Sequence, residues 1–295
     1  MKRIRSSRRH SGTRIERHLG GEQGARRARF LQHRLPFLTL TEIARRAQVP
    51  VSSAHGIVGE LVEHGLLERM PDRSYRVGVR LWEMGSRTPG VLGLREIAFP
   101  HLQAVQAVVR QHTQLAVRSD LDVLVIERLS ARDAVVNGSM VGGRIPLQHS
   151  SSGLVLLAAA EKDLVPRIVK RGLDPQTDAG ISTEKELREA VLRARRLGHA
   201  VTEGFLYPGT RGIAVPIRGS QNVVVGALGV VVANDGNSPA DYVLLLRRAA
   251  ASISEALLRS YLPPDHPGAR PGGAYRALVN SSDRSMAYLE HHDGV

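Results

Sequence analysis

The side chains with chemistry to offer are concentrated in the first quarter of the chain. Eleven of the 41 lysines and arginines lie within residues 1–34, offset there only by Glu16 and Glu22. Over all 295 residues, 28 acidic groups leave a formal net charge of +13. A basic arm reads either as a contact for a polyanion, most often nucleic acid, or as a solvated tail that aids solubility. Behind it, Ser52, Ser53 and His55 fall on the outward side of a helical segment. Their hydroxyls can bond phosphate or base edges, and an imidazole can donate from either nitrogen. Thr41, at the start of the preceding segment, can offer a hydroxyl and a backbone N–H to a phosphate. Arg69, Arg73 and Arg76 lie on or beside a short hairpin, where a duplex backbone or minor groove would pass.

Catalytic patterns are missing. Twelve histidines include no HExxH and no i, i+4 pair, and no Walker A, GxGxxG or GxSxG motif occurs. A Ser-His-Asp set assembled through the fold would leave no sequence trace. His101 and His112 are expected on a helix surface. With no cysteine, thiolate zinc fingers, a disulfide scaffold and a cysteine nucleophile are excluded, and a reducing cytoplasm suits the chain. The expectation is a protein without enzymatic activity, cofactor or metal.

These side chains need elements to hold them. The length suggests about two domains. Hydrophobic residues are 42% and aromatics only 4%, so the core must be built from Val, Leu, Ile and Ala. No run of ~18 apolar residues could span a membrane. Residues 1–24 read as a disordered arm, and residues 25–34 as a short amphipathic helix. Thr39 and Glu42 form a capping box. The helix it opens, residues 41–47, is broken at Gln48-Val49-Pro50. A second helix over 51–64 carries the apolar stripe Ala54, Ile57, Val58 and Leu61 and ends at Gly65. Strands at 66–70 and 74–77 flank the turn Pro71-Asp72. Helix, tight turn, helix and hairpin make a winged helix-turn-helix over residues 25–80.

Residues 81–112 are expected to be linker helices, with an interruption near Pro100. Residues 113–262 mix strands with helices in hairpin order, so the class is α+β. Strands are expected at 115–117, 123–129, 135–136, 200–201, 213–217 and 223–232. Helices are expected at 153–160, 163–171, 183–197 and 241–261. Residues 263–295 are rich in Pro, Gly and polar residues and read as a flexible tail.

Leu38-Thr-Leu-Thr-Glu-Ile-Ala-Arg-Arg-Ala47, His64-Gly-Leu-Leu-Glu-Arg69 and Tyr75-Arg-Val-Gly78 resemble the winged-helix half of the isocitrate lyase regulator (IclR) family. Leu94-Arg-Glu-Ile-Ala-Phe-Pro-His-Leu102, Gly142-Gly-Arg-Ile-Pro-Leu147, Gly198-His-Ala-Val201 and Gly209-Thr-Arg-Gly-Ile-Ala-Val-Pro-Ile217 resemble its effector-binding half. The resemblance implies a bacterial transcription regulator, a repressor by family habit. It implies a GAF-like C-terminal domain with a mixed antiparallel sheet that binds a small metabolite. The partner is double-stranded DNA with a palindromic operator, met by a homodimer or tetramer.

Two departures bear on function. Val51 and Gly56 stand where the family commonly carries Lys and Arg, so the recognition helix lacks a guanidinium for guanine. Either the operator differs and the arm and wing supply affinity, or the fold serves as a ligand sensor or interaction module without DNA. The second departure is in the effector site that the resemblance places around Gln148-His-Ser-Ser-Ser-Gly153. There Ser150, Ser151 and Ser152 at a helix start can cradle a carboxylate, or one of them simply caps the helix. The facing wall has Thr202, Gly212, Gly229 and Val231 where sensors of small oxo-acids carry polar groups, with Thr210 and Leu129 as further walls. That implies a larger ligand, an organic or aromatic acid.

Overall fold

The computed structural model describes residues 37–85, 91–161 and 163–260. The basic arm, the helix expected at 25–34 and the tail at 263–295 lie outside the described residues. The first unit opens with β1 (Leu38–Thr39), α1 (Leu40–Ala47) and α2 (Val51–Glu63). It closes with β2 (Leu67–Arg69), β3 (Ser74–Val77) and α3 (Val79–Gly85). β3 pairs antiparallel with both β1 and β2. The capping box is formed: the Glu42 N–H donates to Thr39 Oγ1 at 3.3 Å, and the Thr39 N–H donates to the Glu42 carboxylate at 2.8 Å. Ala54 and Val58 are buried on α2, but Ile57 is 52% exposed. At 100° per residue it sits at the edge of the arc centred on Ala54, Val58 and Leu61, so the buried stripe is narrower than expected.

The larger unit starts with α4 (Val91–Val109), which continues through Pro100 without interruption. The strands are β4 (His112–Ser119), β5 (Asp122–Ser130), β6 (Arg144–Pro146), β7 (Ala200–Glu203), β8 (Thr210–Arg218) and β9 (Val224–Ala233). They form one fully antiparallel sheet in the order β6-β5-β4-β9-β8-β7. Val135 and Val136 are not a strand but part of the loop between β5 and β6. The helices are α5 (Ser151–Ala158), α6 (Leu164–Arg171), α7 (Glu184–Leu197) and α8 (Ala240–Ser260).

Strand alternation divides two cores across the sheet. Leu115, Ile213, Val215, Leu228 and Val230 pack against Leu102 and Val105 of α4 and Leu246, Ile253 and Leu257 of α8. Ala116, Val123, Val125, Ala214 and Ala227 face Leu154, Leu157, Ile168 and Leu187 of α5, α6 and α7. The helix expected to be a linker therefore forms part of this core. Arg95 of α4 also pairs with the buried Glu127 of β5 at 2.7 Å.

Candidate DNA-reading face and effector cavity

On the first unit, α1 and α2 are joined by Gln48, Val49 and Pro50, with Gln48 in the left-handed region at φ 57°. This tight turn crosses the two helices and leaves one side of α2 open. Ser52, Ser53 and His55 are all exposed on that side, and Thr41 is exposed in the first turn of α1. Pro50 caps α2 without a side-chain hydrogen bond. Val51 is 48% exposed, and nothing lies within 4 Å of a Cβ placed on Gly56. Arg69 and Arg73 are exposed at the wing, where Arg73 adopts φ 64° in the turn. Arg76 is exposed too, but it is committed across the hairpin: its Nε donates to Glu68 Oε2 at 2.7 Å. β2–β3 register sets Glu68 opposite Arg76, and that pairing offsets the charge expected for a phosphate.

The second site is a cavity of about 50 Å³ between the sheet and the start of α5. Two cross-strand rows make its floor. Thr202, Gly212 and Val231 are neighbours across β7, β8 and β9, and Gly229 and Gln114 lie beside them across β9 and β4. Positions far apart in sequence meet because antiparallel register brings them to one face. The glycines let the neighbouring hydroxyls come close to this floor. A Cβ on Gly212 would lie 2.8 Å from Thr202 Oγ1 and 2.9 Å from Ser151 Oγ, and one on Gly229 would lie 3.2 Å from Ser152 Oγ.

The roof is the helix start. Ser150 Oγ accepts the Gly153 N–H at 3.1 Å, so Ser150 is the cap, while Ser151 and Ser152 border the cavity from the first turn. Thr210 donates its hydroxyl to the Tyr207 carbonyl at 2.8 Å and so holds the loop that carries Phe205, Leu206 and Tyr207 over the cavity. His149 is buried behind it, with Nε2 2.7 Å from the Leu173 carbonyl, which assigns the proton to Nε2. Burial pushes this imidazole below the usual histidine range, and the bond to Leu173 offsets that only in part. The neutral ring is therefore the form at pH 7.

Leu129 is a correction, because it lies outside this cavity. Val123 and Val125 face α5, so simple alternation would point residue 129 the same way. A bulge opposite Leu115 and Ala116 inserts an extra residue at Ile126 and reverses the phase. Glu127 and Leu129 consequently turn toward α4, where Leu129 joins the other core. His112 is also corrected: it begins β4 and is buried rather than on a helix surface.

A family model described as bacterial transcriptional regulator IclR C-terminal matches residues 88–255, and one described as IclR helix-turn-helix domain matches residues 29–71. The chain belongs to the IclR family. It is 25% identical over 225 residues to the HTH-type transcriptional regulator XynR of Escherichia coli, covering 75% of this chain and 89% of that one. It is 25% identical over 201 residues to the Pca regulon regulatory protein of Pseudomonas putida, covering 68% and 69% of the two chains. A solved IclR homologue from Microbacterium hydrocarbonoxydans, complexed with 4-hydroxybenzoate, is 39% identical, with a TM-score of 0.71 over 79% of this chain and 98% of that one.

As an IclR-family protein with a winged helix-turn-helix, the chain is a DNA-binding transcription regulator. Among the described residues no helix is long and apolar enough to cross a membrane, and no group of His, Asp and Glu could hold a metal. The IclR-family cavity also uses residues that sequence reading passed over: Gln114, Asn137, Ser139, Ile145, His149 and Tyr207. The dipeptide Asn137-Gly138 is a turn signal that could have marked this loop. The strand expected at Val135-Val136 concealed it.

Proposed function

We propose that this regulator is a repressor whose operator affinity is set by a small aromatic acid bound in the cavity under α5. The observation that carries the reading is the cavity itself: two hydroxyls from a helix start, one from Thr202, and a floor stripped of side chains at Gly212 and Gly229. Helix N–H groups and hydroxyls suit a carboxylate, and a bare stretch of sheet suits a flat ring. The relative bound to 4-hydroxybenzoate supports that choice of ligand class. An engineered apolar cavity of ~150 Å³ admits benzene. At about 50 Å³ this one must open by moving side chains, and Tyr207 on its loop is placed to do so.

Thr41, Ser52, Ser53, His55, Arg69 and Arg73 would meet DNA, while Arg76 would stiffen the wing through Glu68. A homodimer or tetramer on a palindromic operator must set paired recognition helices about 34 Å apart. The acid can act only by binding one arrangement of the oligomer better than the other. α4, packed on the sheet and leading back toward the winged helix, is the element to carry that difference.

Titration of the protein onto DNA from upstream of its own coding region, with and without 4-hydroxybenzoate, tests this. Binding that weakens with the acid supports the reading, and binding indifferent to it rejects ligand control. A second reading, a ligand sensor that does not bind DNA, is favoured by exposed Val51 and bare Gly56. Acid binding without any salt-sensitive DNA affinity would select it.

A further inference from the structure

We infer that the cavity grips its ligand at two ends, and that Asn137 and Ser139 form the second end, built for a hydroxyl group on the ring. The inference rests on the aromatic-acid reading above and narrows the ligand class to a hydroxylated aromatic acid. Asn137 Nδ2 and Ser139 Oγ are buried and have no hydrogen-bond partner among the described residues, and both residues line the cavity. Buried polar atoms are nearly always paired, so two orphans two residues apart on one cavity-lining loop call for a cause. A ligand group that completes them is one.

The loop holding these atoms is not slack. Asn137 Oδ1 accepts the Ser139 N–H at 3.0 Å, which fixes the amide orientation and leaves Nδ2 as the spare donor. Arg128 Nη1 donates to the carbonyls of both Asn137 and Ser139. Upstream, the Val135 N–H donates to Gln111 Oε1 at 2.9 Å, and its carbonyl lies 2.6 Å from His112 Nε2. The Val135 carbonyl can only accept, so His112 Nε2 carries a proton, while Nδ1 faces the Ser130 hydroxyl at 2.9 Å. The spare groups are thus positioned before any ligand arrives, which lowers the cost of binding one.

The chemistry of the pair favours a hydroxyl. An amide N–H only donates, whereas a serine hydroxyl can accept. One ligand hydroxyl can accept from Asn137 Nδ2 and donate to Ser139 Oγ together. A methyl group of the same size can do neither and would leave both protein groups stranded. A second carboxylate would have to be desolvated against neutral donors. Gly138 between the two residues leaves room for the Tyr207 hydroxyl, which would lie 2.1 Å from a Cβ there.

Calorimetry with three probes tests the proposal: 4-hydroxybenzoate, benzoate and 4-methylbenzoate. The wild-type protein should prefer 4-hydroxybenzoate over 4-methylbenzoate by roughly 10-fold to 100-fold. Ser139→Ala removes an unpaired hydroxyl, so its melting temperature should hold or rise while that preference falls several-fold. Asn137→Ala should flatten it further. Equal affinity for the hydroxylated and methylated acids in the wild type, or full preference retained in a folded Ser139→Ala protein, overturns the two-ended site and leaves the aromatic-acid reading standing. No binding of any of the three acids overturns both.

Discussion

Replacing Gly212 by alanine puts a methyl group into the floor of the cavity. That Cβ would sit 2.8 Å from Thr202 Oγ1 and 2.9 Å from Ser151 Oγ, closer than such atoms normally approach. Both hydroxyls belong to short side chains bordering open space, so in the empty protein they can turn aside. The backbone also accepts alanine there, since position 212 is an ordinary strand residue paired with Thr202 and Val231. A bound ring removes the freedom to turn aside. The overpacking cost of ~1–3 kcal/mol then falls on the complex, a loss in affinity of ~5-fold to ~150-fold. Calorimetry with 4-hydroxybenzoate reads that loss directly. A thermal melt of the unliganded variant should show a drop of less than about 10 °C. If the variant binds the acid within twofold of wild type while folded, the ligand does not lie on this floor and the cavity assignment is wrong.

Other outcomes follow from the same geometry. Gly56→Ala meets nothing within 4 Å and should stabilise α2 by about 1 kcal/mol, seen as a later chemical-unfolding midpoint. Gly56→Arg should raise operator affinity by about 10-fold or more in mobility shifts if α2 lies in the major groove, and no gain would count against that placement. His112 and His149 are both held below the usual histidine range, chiefly by burial. The unfolded chain therefore binds protons that the fold resists, and stability should fall as pH drops below the unfolded histidine value of about 6.5. Melting temperatures at pH 7.5 and 5.5 measure it, and His149→Asn should flatten the slope; a flat wild-type profile refutes it. Deleting residues 1–24 should flatten the salt dependence of DNA binding, and an unchanged slope would separate the arm from phosphate contact.

Much of the molecule is legible in its sequence. The capping box at Thr39 and Glu42, the break at Gln48 to Pro50 and the hairpin around Pro71-Asp72 are local events, set by residues within a few positions of one another. They gave the winged helix-turn-helix and its exposed face. Composition gave a Val, Leu, Ile and Ala core, and family resemblance placed Ser150, Ser151, Ser152, Thr202, Thr210, Gly212, Gly229 and Val231, which the fold brings around one cavity. What tertiary structure alone decided was non-local. The bulge at Ile126 turned Leu129 to the other core, because a strand's parity depends on how its partner pairs with it. α4 passed unbroken through Pro100 and became core, held by packing on the sheet. Asn137 and Ser139 joined the cavity because His112, Gln111 and Arg128, none of them a sequence neighbour, pin their loop there. Short-range hydrogen bonds and periodicity can be read along a chain, whereas register, strand phase and loop placement depend on partners the chain meets only once folded.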